Sequence, residues 1–303
     1  MVRAYERESG LQKPEEVVLT MLKDGLKDMR MLDVGVGAGR TTAYFAPLVK
    51  EYIGVDYSHK MIEACKRRFP ERADSFRVCD ARSMSVLPHD YFDLVLFSFN
   101  GIDYVPVADR KTILTEVARV ARNGAHFLFS THNLNVDIER AFSMSWTTSP
   151  KENAKQICRR VLFRLQNRNW RQKRANATHM IIKDGAFGLF TFYIEPEEQV
   201  RQLEELGFID VRAFALCGRQ LELTDLARAE DPWLYYLCSS SRAFSFSKLQ
   251  AGAGHDWHPP GSKEGLRLIE IGIFARSANA DTERLTLAVN KVISSPQRGR
   301  WRI

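Results

Sequence analysis

The chain has 303 residues, of which 45% are hydrophobic and 27% charged, and no apolar run approaches the length of a membrane span; this is the balance of a folded globular protein, which excludes disorder as the main state and a membrane-spanning design. The net charge of +7 is uneven, because residues 151–178 carry nine basic side chains against Glu152 alone and residues 263–303 carry eight against four acids, while the remainder is mildly acidic. A polyanion, if bound, would meet those two segments.

Taken in chain order, apolar residues at helical spacing over 15–29 follow Pro14, a good first-turn residue, and predict a helix. Met31-Leu32-Asp33-Val34-Gly35 reads as a short buried strand entering a glycine loop, followed by a helix over 41–50. A strand at 52–56, a helix at 60–69, strands at 76–79 and 92–97, a helix at 110–122 and a strand at 126–130 continue the alternation. Short β-rich runs separated by helices predict a parallel sheet wound on both faces. The alternation stops near residue 133; a polar, largely helical stretch runs to about Thr178, and 187–194 then reads as a strand. Pro196 opens a helix ending at Gly207, and strands over 208–216 and 233–237 complete a seven-strand set. Residues 240–262 read as a linker, 266–274 as one further strand and 282–292 as a helix.

The N-terminal residues Met1-Val2-Arg3-Ala4-Tyr5-Glu6-Arg7 lack the apolar stretch of a secretory signal, so a cytoplasmic location is expected. Cys65, Cys79, Cys158, Cys217 and Cys238 contain no close pair. That excludes a CxxC zinc site, an iron–sulfur cradle and a disulfide scaffold, and points to buried, reduced thiols. No metal is expected.

The loop Asp33-Val34-Gly35-Val36-Gly37-Ala38-Gly39-Arg40 brings a ligand against backbone near a helix N-terminus. A dinucleotide fingerprint would need glycine where Arg40 stands, and Asp33 would set a carboxylate near a pyrophosphate. A cationic ligand reverses that penalty, and the sulfonium and ammonium groups of S-adenosylmethionine fit. Asp56, ending the next strand, lies at the spacing from which an acid meets ribose hydroxyls. Asp80, ending the third, suits the adenine amino group.

The segments MLDVGVGAGRTT, YIGVDYS, FRVCDARSM, FDLVLFSFNGIDYV and EQVRQLEELGF resemble the successive motifs of class I S-adenosylmethionine-dependent methyltransferases, closely over 30–132 and more loosely over 187–239. The resemblance implies an α/β fold: a doubly wound, seven-stranded Rossmann-like sheet, mostly parallel with an antiparallel last strand. By the match, Gly35, Gly37 and Gly39 line the cofactor with Asp33, Arg40 and Thr41 beside them, and Asp56 binds its ribose. Asp80 and Ala81 flank its adenine, Tyr57 and Met61 pack beside the base, and Phe97, Ser98, Phe99 and Asn100 close the site. S-adenosylhomocysteine would be the product. STHNLN and LFTFYIEPEEQVRQLEELGF look like a bacterial subgroup with an inserted substrate-side segment. The expected organisation is a catalytic domain over 1–132 and 187–239, a helical and strand cap over 133–186, and an extension over 240–303.

Methyl transfer from a sulfonium asks mainly that the acceptor be held in line and water excluded; a base is needed for a hydroxyl or a protonated amine. His132, just after the fifth strand, is the best-placed base. Asn100 and Tyr104 sit where the fourth strand meets donor and acceptor, Tyr193 is a candidate wall of the acceptor pocket, and His179 is a weaker one. The Asn/Asp-Pro-Pro-Tyr/Phe phrase of amino-group methylation is missing at Ser98-Phe99-Asn100-Gly101, which lowers nucleobase chemistry. The expected acceptor is therefore a small molecule, acidic if the basic lid attracts it. An RNA methyltransferase gripping through 151–178, with Phe163 and Trp170 stacking on bases, is the rival, and a non-catalytic cofactor-binding subunit is the third reading. His255, Trp257 and His258 read as loop residues, and monomer and homodimer stay equally open.

Overall fold

The computed structural model describes residues 10–138, 146–184 and 189–241. Strands β1 (Arg30–Val34), β2 (Glu51–Asp56), β3 (Phe76–Val78), β4 (Phe92–Phe97), β5 (Ala121–Asn133), β8 (Phe208–Phe214), β9 (Gln220–Leu221) and β10 (Trp233–Ser240) form one sheet in the order β3-β2-β1-β4-β5-β10-β8-β9. Pairing is parallel from β3 through β5, and β10 inserts antiparallel between β5 and β8. The antiparallel late strand expected at 233–237 is therefore an interior strand.

Period-two alternation assigns the two faces of the sheet. Leu32, Val34, Val95, Phe97, Phe127 and Phe129 share one core with Ile113, Leu114 and Val117 of helix α4 (Val107–Val120) and Leu203 of α7 (Pro196–Glu205). Met31, Tyr52, Leu94, Leu96 and Leu128 face the other way, against Val18 of α1 (Lys13–Leu22), Phe45 of α2 (Thr42–Phe45), and Ile62 and Cys65 of α3 (His59–Arg68). Asp33 falls on this second face, beside Tyr52 rather than solvent. The first helix is shorter than its pattern: α1 ends at Leu22, and a 3-10 turn at Leu26–Asp28 leads into β1. The helix expected over 41–50 contracts to the four residues of α2.

The segment after β5 departs most from expectation. It holds α5 (Pro150–Gln166), α6 (Trp170–Arg174) and a strand the periodicity did not announce, β6 (His179–Asp184). β6 pairs along its whole length with β7 (Leu189–Ile194) as an antiparallel hairpin. β7 meets β5 only at His132↔Tyr193 and Asn133↔Ile194, past the point where β4 stops opposite Phe129. The hairpin thus extends the sheet beyond the carboxyl end of β4, where ligands of open α/β sheets bind.

A small third core of Leu134, Ile138, Phe163, Met180, Ile182 and Tyr193 fastens α5 to this hairpin. Asn167 closes the junction, its amide exchanging two 2.9 Å hydrogen bonds with the Lys183 backbone. Phe163 is buried, so its ring is not offered to a nucleobase, and Trp170 is partly buried against the same core. Cys65, Cys79 and Cys238 are buried as expected, but Cys158 and Cys217 are exposed. Among the described residues no helix is long and apolar enough to cross a membrane, and no group of three metal-ligating side chains occurs. The strand and helix expected at 266–274 and 282–292, and His255, Trp257 and His258, lie outside the described residues.

Candidate active site

The glycine loop leaves β1 with Gly35, Gly37 and Gly39 all at positive φ (+67°, +57° and +77°). That conformation favours glycine. Sterics add to it, because a Cβ on Gly35 would stand 2.9 Å from the Phe97 ring and one on Gly39 2.5 Å from the Phe69 ring. Phe97 is therefore wedged under the loop as its floor.

Asp56 ends β2 nearly buried, with Oδ2 accepting from the Gly37 N–H at 3.0 Å and Oδ1 from the Ser58 N–H at 2.8 Å. Burial raises its pKa, partly countered by those two backbone donors. Each oxygen retains acceptor capacity for a vicinal diol. Tyr57 follows at 70% exposure, and Met61 is half-buried on α3. Asp80 is half-exposed and clasped by Arg82 at 2.6–3.0 Å, and Arg82 also reaches Asp109 at 2.8 Å. Burial raises the Asp80 pKa, and the Arg82 hydrogen bonds outweigh it and leave it below the usual value. Ala81 packs against the core next to it.

Asp33, Thr41, Arg40 and Ser98, all expected at the cofactor, have their side-chain polar groups committed to partners within the protein. Asp33 is 1% exposed, and its Oδ2 accepts the hydroxyls of Thr41 (2.5 Å) and Tyr52 (2.7 Å). Burial pushes its pKa up to about 6, despite those hydroxyl donors. Placement on the second sheet face, against Tyr52, is the reason this oxygen is taken up by hydroxyl donors. Arg40 is committed to Glu15 of α1 through a two-pronged pair at 2.6 and 2.7 Å. Fully buried Glu15 also accepts from the Gln12 N–H (2.7 Å), the Tyr235 hydroxyl (2.9 Å) and the Ser98 hydroxyl. Ser98 is thereby a structural partner, and the cluster ties α1, the glycine loop, β4 and β10 together. Glu15 opens the helix predicted over 15–29, but nothing in the sequence pairs it with these distant partners.

Beyond β4 the chain turns through two left-handed residues, Phe99 (φ 56°) and Asn100 (φ 59°). Left-handed backbone in non-glycine residues is costly and concentrates at functional sites. The Asn100 N–H is held by Ser130 Oγ at 2.8 Å, while its side-chain Oδ1 is buried without a partner. The turn delivers Asp103 beneath the end of β5. Fully buried Asp103 accepts from Arg110 (2.6 Å) and Thr131 (2.7 Å) through Oδ1, and from the His132 N–H and Nδ1 (both 2.8 Å) through Oδ2. Arg110 is itself buried, lies 4.5 Å over the Phe192 ring, and hydrogen-bonds Thr131 and Gln199.

A carboxylate on Nδ1 fixes that nitrogen as the donor and leaves Nε2 as the acceptor. The imidazole lies within rings: Tyr193 at 4.9 Å, Trp233 at 6.1 Å and Tyr104 at 6.4 Å between centroids. Phe99 adds an edge contact to Trp233 at 6.4 Å, and the buried Trp233 Nε1 has no partner. Tyr104 is half-exposed and Tyr193 buried, and the rings of both stand beside His132. His179 stacks on Phe192 at the start of β6 instead. Asp103, Arg110 and Trp233 were missed, because their meeting with His132 depends on the corner after β4 and on β10.

Residues 32–129 match the family model of a methyltransferase domain. That window spans β1 into β5 and contains the glycine loop, Asp56, Asp80 and Asp103. The uncharacterized methyltransferase YcgJ of Bacillus subtilis is 32% identical over 105 residues, 34% of this chain and 40% of its own length. A fatty-acid O-methyltransferase of Mycolicibacterium smegmatis is 33% identical over 129 residues, 41% and 46% of the two chains. The chain thus spans less than half the length of these curated relatives. A solved S-adenosylmethionine-dependent methyltransferase from Mesorhizobium loti superposes with a TM-score of 0.51 at 17% identity, covering 76% of this chain and 98% of that one, a likeness of fold. With the strand order, the glycine loop and the strand-end acids already in place, residues 32–129 are a methyltransferase domain of the class I, S-adenosylmethionine-dependent kind.

Proposed function

We propose that the protein transfers a methyl group from S-adenosylmethionine to an oxygen or nitrogen of a small-molecule acceptor, with His132 as general base. The observation that carries this reading is the 2.8 Å contact of His132 Nδ1 with buried Asp103 at the carboxyl end of β5. The cofactor fits the residues present. The three glycines remove side chains where its chain would lie, Asp56 offers acceptors for the ribose hydroxyls, and the orphaned Asn100 Oδ1 is a buried acceptor suited to an ammonium donor. When bound, the cofactor supplies an electrophilic methyl group on sulfur.

The chain's own residues do the rest. Asp103 sets the tautomer of His132, so that Nε2 can accept the proton of an acceptor hydroxyl or ammonium. Arg110 pairs with Asp103 at 2.6 Å in a buried setting and holds its carboxylate in place, although burial lowers the Arg110 pKa. Tyr193, Trp233 and Tyr104 form apolar walls that exclude water and suit a flat or hydrophobic acceptor. The fatty-acid O-methyltransferase relative favours oxygen as the methylated atom. The β6–β7 hairpin with α5 serves as the cap over the acceptor.

Calorimetry with S-adenosylhomocysteine, and turnover of a panel of hydroxylated and aminated aromatics followed by transfer of a deuterated methyl group, test this reading. His132→Gln is expected to lower kcat by about 10²–10⁴-fold while cofactor affinity stays within about twofold. Asp56→Ala is expected to weaken cofactor binding by at least about tenfold, the loss of two charged hydrogen bonds. Full turnover in both His132→Gln and Asn100→Ala would remove the base and leave the fold.

A further inference from the structure

Helix α5 is anchored on one side only. Phe163 faces the small third core, and the helix ends at buried Asn167, which clamps β6. At 3.6 residues per turn the opposite side carries Ala154, Ile157, Val161 and Leu165. Ile157 is 43%, Val161 50% and Leu165 62% exposed. This aliphatic stripe points directly away from the core that holds the helix. Positive charge lies on both of its flanks, with Lys151 and Lys155 along one edge and Arg160 and Arg164 along the other. Trp146, 72% exposed, precedes the helix by one turn of chain.

A solvated basic face would put the charges at the centre and the aliphatic side chains inward, and α5 does the reverse. A nucleic-acid face would present aromatic rings between the cations, whereas Phe163 and Trp170 are used in packing. A second copy of this face would bring like charges together, and the chain's own segment 263–303, with eight basic residues against four acids, carries charge of the same sign. Aliphatic side chains bordered on both sides by long cations suit one partner best: an anionic bilayer, into which the stripe dips while the cations reach the headgroups.

We infer that α5 is an interfacial helix that docks the protein on anionic lipid. This concerns peripheral binding, which the absence of a spanning helix among the described residues leaves untouched, and it stands apart from the reading of the acceptor. It has a structural route to the site. Phe163, on the back of the stripe, shares its small core with Tyr193, whose ring lies 4.9 Å from His132. A docked α5 would therefore hold the hairpin wall of the acceptor pocket from outside.

The test is flotation of the full chain with vesicles of phosphatidylcholine and phosphatidylglycerol in equal parts, against phosphatidylcholine alone, at low and physiological salt. Binding is expected on the anionic vesicles at both salts and not on neutral ones. Because the stripe is exposed, Val161→Glu with Leu165→Glu should leave the circular dichroism and S-adenosylhomocysteine affinity unchanged while reducing vesicle binding at least about tenfold. Val161→Leu should retain it, and Lys155→Gln with Arg164→Gln should weaken it several-fold and flatten its loss with salt. Absence of flotation, or equal flotation of the Val161→Glu, Leu165→Glu protein, overturns the inference. So does binding of bulk transfer RNA that displaces the vesicles and is insensitive to the stripe, because the face would then belong to nucleic acid.

Discussion

The loop at Gly35–Gly39 and the corner at Asn100–Tyr104 both follow the carboxyl end of a parallel strand, β1 and β4, yet they keep their shapes by opposite means. The loop is set by backbone: three positive-φ glycines and rings from Phe97 and Phe69 that leave no room for a Cβ. The corner is set by buried charge, with Asp103 accepting four donors from Arg110, Thr131 and His132. A backbone-built site tolerates changes in its neighbours and fails when a glycine is filled. A charge-built site fails when one partner is removed, because the others are left desolvated.

Asp103→Ala should give the largest effect. It strands the buried Arg110 guanidinium, and removing one partner of a buried pair costs about 3–5 kcal/mol. Urea denaturation reads this directly, and turnover should fall with it as His132 loses its orienting acceptor. Asp103→Asn should cost less stability but as much turnover, since its amide can present a donor to Nδ1. A loss below about 1 kcal/mol for Asp103→Ala would mean that the corner is held by packing rather than by charge.

Glu15→Gln tests where the two regions join. The carboxylate holds Arg40, Ser98 and Tyr235, so the substitution should cost about 1–3 kcal/mol. Gly39→Ala should cost a comparable ~1–3 kcal/mol, from the positive φ together with the approach to the Phe69 ring. Combining Gly39→Ala with Phe69→Leu should recover the steric share in a double-mutant cycle, while Phe69→Leu should leave Asp103→Ala unaltered.

The same contrast decides what could be read from the sequence. The glycine loop and the acids at Asp56 and Asp80 are short-range features: spacing along one strand–loop–helix unit brings them to the sheet's carboxyl edge, so pattern alone reaches them. Asp33 lies in that pattern too, but which face of β1 it takes depends on the parity of the strand, and that parity sends it to Tyr52. The Asp103–His132 pair needs a left-handed corner at Phe99–Asn100, which no propensity announces for a phenylalanine. β6 was hidden because its apolar run is only Met180-Ile181-Ile182, directly after the basic helical stretch, and the strand is completed by pairing with β7. Glu15 was invisible for a related reason: its four partners come from residues as distant as Tyr235.

The smallest expected effect concerns Asp33, and it is the sharpest test of which region that residue serves. Its pKa is pushed up to about 6 from 3.8 by burial, with the Thr41 and Tyr52 hydroxyls only partly offsetting it. The unfolded chain therefore releases this proton first. Asp33's contribution to stability is complete below about pH 4, declines as pH rises toward 6, and is flat above, a fall on the order of 2–3 kcal/mol. Asp56, also raised, slopes the same way, whereas Asp80, Asp93 and Glu116, held low by arginines, slope oppositely. Only the difference between the wild type and Asp33→Asn isolates the residue. The amide oxygen can accept both hydroxyls while its new donors need a partner, so the variant should be within about 1 kcal/mol of wild type at pH 7. It should lose the decline between pH 4 and 6 in urea midpoints, and its affinity for S-adenosylmethionine should fall by less than about threefold. Parallel stability curves together with a tenfold or greater loss of cofactor affinity would place Asp33 against the ligand's cation after all, and would make the glycine loop, like the corner after β4, a site built on charge.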